Sequence, residues 1–390
     1  MRRLMLNFRT LPVSGAILVF LLIIGGHLYG AENGTAQVQP AVEDSTFSED
    51  LFDDGPHVYR QTDSSAIVFY LCNGAVIQRS FDCIDTLRFR GLCHDTGMIY
   101  TIPWESPVVK PHIFDNASRI MAVSDVHGEY EHLVDILVNS GVIDDQHSWA
   151  WGDGHLVVLG DVFDRGDRVT ECLWLIYRLE LEAEHDGGWV HFILGNHELM
   201  VLRGDNRYVH ERYLDGIVKK TRIKHEDLYG PDMQLGRWLR SKHTMVKIDD
   251  IVFIHAGISP PVMNRNLELD RINQIVRDNI DLRSSQLAFN PSVKFLFGGE
   301  GPFWYRGYHY EMEEIYPQAT SGAVDSILAY YGGDFIVVGH TEVSQVSGLY
   351  GNRVLAIDVP VEELGSLQAL LWENGRFYRV TGQGDLQPIE

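Results

Sequence analysis

Six side chains combine a chemistry suited to divalent cations with a place where an apolar run stops: Asp125, His127, Asp161, Asn196, His255 and His340. All offer oxygen or imidazole nitrogen and none is a thiolate, which argues against a cysteine-type structural zinc site and suits Mn, Fe, Mg or Zn. A single catalytic ion that keeps a position open for substrate needs fewer protein ligands than this. Two ions sharing one bridging carboxylate are the economical arrangement. Any one of these residues alone reads as a satisfied loop residue, but their recurrence at successive run ends does not. His155, His185, His191, His210, His225 and His243 lack such a setting and stay unassigned.

The elements that must position these groups are short continuous apolar runs. Ile120 to Ser124 ends at Asp125, Leu156 to Gly160 at Asp161, Trp189 to Leu194 at Gly195-Asn196-His197, Asp250 to Ile254 at His255, and Phe335 to Gly339 at His340. Such runs suit strands buried on both faces, and the periodic stretches Glu131 to Val138 and Val169 to Leu181 suit covering helices. In α/β sheets, sites form beyond the carboxyl ends of strands, so the five segments are expected to converge. No internal repeat is present.

Thirty-two basic against 54 acidic residues give a formal charge of −22, which argues against duplex nucleic acid or an anionic membrane surface as the main partner. A phosphate-bearing substrate would then need a local positive centre. An apolar content of 45% with 22% charged residues excludes a disordered, collagen-like or coiled-coil chain.

Residues 1–31 have the grammar of a signal peptide, with Arg2, Arg3 and Arg9 before the apolar stretch Ala16 to Ile24 and a small-residue exit at Gly30-Ala31. Export to a periplasmic or secreted location is expected, with membrane attachment only if this segment is retained as an anchor. Residues 32–54 read as a flexible tether, 55–112 as a small antiparallel β lobe that packs or docks, and 113–390 as the chemical domain. An oxidising compartment allows one bridge among Cys72, Cys83 and Cys93, with the pairing open; Cys172 lies in an apolar helical pattern and reads as core.

The blocks Ser124-Asp125-Val126-His127-Gly128, Gly160-Asp161-Val162-Phe163-Asp164-Arg165-Gly166, Gly195-Asn196-His197-Glu198, His255-Ala256-Gly257 and Gly339-His340 resemble, in order and rough spacing, the calcineurin-like metallophosphoesterases of the phosphoprotein phosphatase branch. Val162-Phe163 and the block Pro302-Phe303-Trp304-Tyr305-Arg306-Gly307 are similar to the bacterial Shewanella-like protein phosphatases. Ser124 and Ala256 stand where the family usually has glycine, and neither departure changes a donor. The resemblance spans about Ile120 to Asp358. It implies an α/β fold in which a double β-sheet sandwich is flanked by helices (αββα), with the N-terminal β lobe added to it.

The resemblance also implies one metal held by Asp125, His127 and Asp161 and a second by Asp161, Asn196, His255 and His340. Two such ions make water nucleophilic and clamp the attacking and leaving oxygens of an in-line displacement. Arg165 and Arg306, with Asn196, would hold the phosphate, and their guanidinium forks supply the positive centre that the composition requires. Arg306 has the alternative of stacking on Trp304 or Tyr305. His197, oriented and charged by Asp164, would protonate the leaving group. Arg203 and Arg207 read as loop contacts, with a secondary substrate role open.

The leading expectation is therefore a metal-dependent phosphomonoesterase with two divalent ions, Mn foremost, acting on phosphoprotein or phosphopeptide. Phe163 offers a wall for an aromatic leaving group, hence for phosphotyrosine. The rival enzyme is a phosphoanhydride or nucleotide hydrolase like the symmetrical diadenosine tetraphosphatases. The rival of another class is a catalytically silent metal-binding protein, which would be expected to have lost its acid or a ligand.

Overall fold

The computed structural model describes residues 52–389 except Ile84 and Ala288. The expected signal peptide, and all but the last three residues of the expected tether, lie outside the described residues. The N-terminal strands are β1 (Asp54–Thr62), β2 (Ser65–Cys72) and β3 (Ala75–Asp82), paired antiparallel in that order, followed by a hairpin of β4 (Thr86–Arg90) and β5 (Ile99–Pro103). The chain continues with β6 (Ile113–Phe114), β7 (Arg119–Val123), β8 (His155–Val158), β9 (Trp189–Phe192), β10 (Met245–Ile248), β11 (Ile251–Ile254) and β12 (Phe335–Val338). It ends with β13 (Ser347–Leu349), β14 (Val354–Ala356), β15 (Ala369–Glu373), β16 (Arg376–Val380) and β17 (Leu386–Pro388).

Two six-stranded sheets result, in the orders β17-β16-β15-β7-β8-β9 and β13-β14-β12-β11-β10-β6. Because β7, β8 and β9 run parallel, as do β11, β12 and β14, the carboxyl ends within each set lie side by side.

Alternation explains why the strand sequences are apolar throughout. Ile120 and Ala122 of β7 face the second sheet, where they meet a core that includes Phe253, Val337 and Leu355. Met121 and Val123 point the other way, into the layer that holds Leu133 and Leu137 of α1 (Tyr130–Asn139) and Leu173 and Ile176 of α2 (Val169–Asp186). The second sheet is covered likewise by Ile272 of the helix Leu269–Asn279 and by Val324, Ile327 and Leu328 of the helix Ser321–Tyr331. The fold is thus an αββα sandwich, and both faces of its central strands are dry.

The N-terminal strands share the outer core rather than forming one of their own. Val68, Tyr70, Leu87 and Trp104 belong to the same buried cluster as Leu173 and Trp174. Polar ties cross the junction: Trp174 Nε1–H donates to Pro56 O at 2.9 Å, and Thr170 Oγ1–H donates to Asp54 Oδ1 at 2.8 Å. The end of the expected tether lies inside this packing, since Phe52 and Asp54 are buried and Asp54 opens β1. A disulfide joins Cys72 to Cys93, while Cys83 and Cys172 are free and buried.

Candidate metal centre and active site

Hydrogen bonds across the sandwich tie the strand ends into one rim. His127 N–H donates to Asp161 O at 2.9 Å, joining the loops after β7 and β8. Gly339 N–H donates to His255 O at 2.7 Å, and His340 N–H donates to Asp125 Oδ2 at 3.0 Å. His255 Nδ1–H reaches from one sheet to the other and donates to Leu159 O at 2.7 Å. The six expected donors therefore lie at one place.

Two groups of ligand atoms each fall within 4.8 Å of one another: His127, Asp161 and His197, and Asp161, His255 and His340. Asp161 is common to both, as a bridging carboxylate between two cations must be. The imidazoles are presented in ligand form. His127 Nδ1–H donates to Phe163 O at 2.7 Å, as His255 Nδ1–H does to Leu159 O, which turns Nε2 of each toward the carboxylate of Asp161, where a cation would replace a proton on His255. Burial holds His127 down at about 3 and His340 well below the usual histidine range, so both are neutral. Buried His340 Nε2 has no hydrogen-bond partner among the described residues, an orphan lone pair that a metal ion would satisfy.

The carboxylates show the complementary need. Burial raises Asp125 to about 6, and the charge of Asp161 adds to this. Asp161 is buried too, yet His255, with Nε2 at 3.3 Å from Oδ2, holds it far below the usual range. Burial alone would lower His255, but the Asp161 charge lifts it to about 10. Asn196 completes the set with its Oδ1 2.9 Å from His255 Nε2. Acidic and imidazole groups packed this closely out of water fit a pair of divalent cations.

Beside this centre His197 Nδ1–H donates to Asp164 Oδ2 at 2.8 Å, while its Nε2 stands 3.9 Å from Asp161 Oδ2. Burial works against charging His197, but the Asp164 bond and the Asp161 charge outweigh it and raise its pKa. Arg165, partly exposed, lies 3.7 Å from Glu342 Oε1. Arg306 does not stack on Trp304 or Tyr305; its Nη1–H donates to His340 O at 2.7 Å, which holds the guanidinium at the rim. Phe163 corrects the sequence-based expectation. It is 1% exposed and packs edge-on against Tyr229 at 4.7 Å, so it lines no open pocket. Two other aromatic rings border the site: Tyr208, 48% exposed and 5.3 Å from the His197 ring, and Trp304, 5.7 Å from the His340 ring.

Several features of the site carry no donor signature in the sequence. Asp125, His127, Asp161, Asp164, Arg165 and His340 all have positive φ, between 45° and 69°. Left-handed backbone at a non-glycine residue costs of order 1 kcal/mol each and clusters where geometry serves function. Glu198, fully buried, is the clamp that shapes one loop: its carboxylate accepts from the N–H groups of Asp161 (2.8 Å), Val162 (2.9 Å), Phe163 (3.3 Å) and Gly195 (2.7 Å). Gly195 and Gly339 lack side chains because the carboxylates of Asp161 and Asp125 fill the space a Cβ would take. Asp358, buried at the end of β14, is pushed well above the usual range by burial and by the charges of Asp125 and Asp161. It ends an apolar run, and that same signal could have found it.

Residues 118–343 match the calcineurin-like phosphoesterase family. The chain belongs to that family. It is a metallophosphoesterase, a hydrolase of phosphate esters that works with divalent metal ions. Its fold is similar to the crystal structure of a cold-active protein-tyrosine phosphatase from a psychrophilic Shewanella species, with a TM-score of 0.80 and 36% identity over 87% of this chain and 100% of that one. Shewanella-like protein phosphatase 2 of Arabidopsis thaliana is 27% identical over 290 residues, covering 63% of this chain and 72% of the relative. Shewanella-like protein phosphatase 1 of Plasmodium berghei is 26% identical over 243 residues, covering 62% and 66%.

Proposed function

We propose that this metallophosphoesterase removes phosphate from phosphoproteins, with a preference for phosphotyrosine, in an exported setting. The observation that supports the reading is the meeting on Asp161 of two groups that could hold a cation, one with His127 and His197 and one with His255 and His340, with Asp164 bonded to His197. The names of its relatives support a protein substrate, and the Shewanella enzyme's name supports tyrosine. Tyr208 at the mouth of the site gives a phenol ring a surface to stack on. The Cys72–Cys93 bridge suits an oxidising compartment.

Asp125, His127 and Asp161 would hold one ion, and Asp161, Asn196, His255 and His340 the other. Their donor set favours Mn and admits Fe, Zn or Mg. When bound, such a pair supplies the activated water and much of the charge neutralisation. The protein's own residues do the rest. Arg165 and Arg306 present donors to the phosphate oxygens from opposite loops and supply the positive centre that a chain of charge −22 otherwise lacks. His197 keeps a proton on Nε2 because Asp164 holds Nδ1–H, and delivers it to the departing oxygen. A silent binding protein would have no use for this intact acid pair.

The test is a turnover panel with Mn and with chelator, using phosphotyrosine and phosphoserine peptides and diadenosine tetraphosphate, with elemental analysis of the purified protein. Expected are two ions per chain, no turnover in chelator, and fastest hydrolysis of the phosphotyrosine peptide. Faster phosphoserine turnover would remove the tyrosine preference. Preference for the dinucleotide would overturn the protein-phosphatase reading.

A further inference from the structure

A pocket of about 860 Å³ opens directly off the metal centre, with Asn196 and Arg306 on its wall. Beyond them its lining holds Arg203, Arg207 and Arg283, so that four guanidinium groups face a single carboxylate, Asp205. This concentration of positive charge runs against a chain of net charge −22. Among the described residues only one of the four is in an ion pair, although Asp281 acts on Arg203 and Asp227 on Arg283 from farther off. Asp205 pairs with Arg207, whose Nη2 is 2.8 Å from Oδ2. Arg306 is fixed by the His340 carbonyl. Arg283 makes no side-chain hydrogen bond or ion pair among the described residues.

Arg203 is anchored rather than neutralised. Its Nε–H donates to Ile280 O at 3.1 Å and its guanidinium lies 3.9 Å over the Phe297 ring, while its buried Nη2 has no hydrogen-bond partner among the described residues. Burial lowers it to about 10, which still leaves it charged at neutral pH. Guanidinium groups that outnumber the carboxylates beside them, set next to a phosphate site in a concave wall, are receptors for further anions. Met200 and Phe297 add apolar wall between them, which suits the methylene stems of side chains better than a compact inorganic ion.

We propose that this pocket recognises anionic side chains flanking the phosphorylated residue, so that the enzyme selects phosphorylated segments in acidic sequence. The inference rests on the protein-phosphatase reading and gives it a substrate class. The shared chemistry is an anionic side chain, supplied by Asp and Glu or by a second phosphorylated residue.

The experiment uses the full chain with Mn and three phosphopeptides of one backbone, carrying neutral, Asp/Glu or second-phosphate flanks. Turnover of each is compared as kcat/KM with that of p-nitrophenyl phosphate, which carries no flanking side chains. Expected is a preference of about tenfold for acidic over neutral flanks at low salt, shrinking at high salt as charges are screened. The ratio should collapse toward one in Arg207→Ala/Arg283→Ala and be largely restored in Arg207→Lys/Arg283→Lys. A larger gain for the second-phosphate peptide than for Asp/Glu would assign the pocket to multiply phosphorylated substrates. Binding of the unphosphorylated acidic peptide to chelator-treated protein, followed by fluorescence anisotropy, should weaken in the alanine variant. Equal turnover of all three peptides, or a preference that survives the alanine double variant, overturns the pocket assignment alone. Failure to hydrolyse any phosphopeptide while p-nitrophenyl phosphate is turned over overturns the protein-phosphatase reading, and this inference with it.

Discussion

Replacing His197 with alanine separates two roles that its position allows. Its Nε2 lies in a group with His127 and Asp161 that could hold an ion, and its Nδ1–H is bonded to Asp164 at 2.8 Å, as a proton donor's would be. If it is the acid, the variant keeps two ions per chain and loses a proton transfer typically worth about 10²- to 10⁴-fold, or roughly 3 to 5 kcal/mol of transition-state stabilisation. The loss should depend on what leaves. A phosphotyrosine peptide, whose phenoxide benefits from a proton, should lose close to the full factor in kcat. A nitrophenyl ester, whose anion departs unaided, should lose much less. Asp164→Asn should reproduce the pattern at about 10- to 10²-fold, because the imidazole stays but is no longer oriented and charged. The assay pairs steady-state kinetics on both esters with elemental analysis of the same preparation. A drop to one ion per chain in His197→Ala would make this residue a ligand, and an equal loss on both esters would remove its role as acid.

Asp161→Asn should weaken both metal positions together, because its carboxylate is common to both groups; metal content near zero is expected, and loss of one ion alone would disprove the shared ligand. Gly339→Ala should lower metal content without unfolding the protein, since the added methyl meets Ser124 Oγ and Asp125 Oδ2; unchanged metal content and activity would refute that close approach. Glu171, in the first turn of α2, is raised from 4.5 to about 7 by burial and by the charge of Asp54, against the pull of Arg168. The folded state therefore holds this proton more tightly than the unfolded chain, so stability falls as pH rises from about 4.5 to 7. Glu171→Gln should raise the melting temperature at pH 8 by the equivalent of about 1 to 2 kcal/mol, after allowing for the lost Arg168 contact, with the gain shrinking toward pH 5. A variant less stable than wild type at pH 8 would contradict the sign.

Most of the candidate metal set is legible because it obeys a simple physical rule. Strands buried on both faces are apolar from end to end, so the polar residues that follow each mark the rim, and Asp125, Asp161, Asn196, His255 and His340 all stand there. Asp358 ends a run of the same kind after β14, but with three residues β14 is too short to announce itself. Phe163 misled for the converse reason: a block shared with relatives places a residue in the chain but not the direction of its side chain. In this loop the backbone of Phe163 serves the site, with its N–H on Glu198 and its carbonyl on His127, while the ring turns into the core against Tyr229. Composition was equally silent about β1, whose burial comes from partners more than 100 positions away, such as Thr170 on Asp54 and Gln234 on Arg60. Nor does any residue type announce a left-handed backbone at Asp125, His127, Asp161 and His340. That conformation is imposed by bonds such as Glu198 to the Asp161 amide and Asp125 to the His340 amide, which join loops from different strands. The donors could thus be read one segment at a time, whereas the strain that aims them exists only once the segments meet.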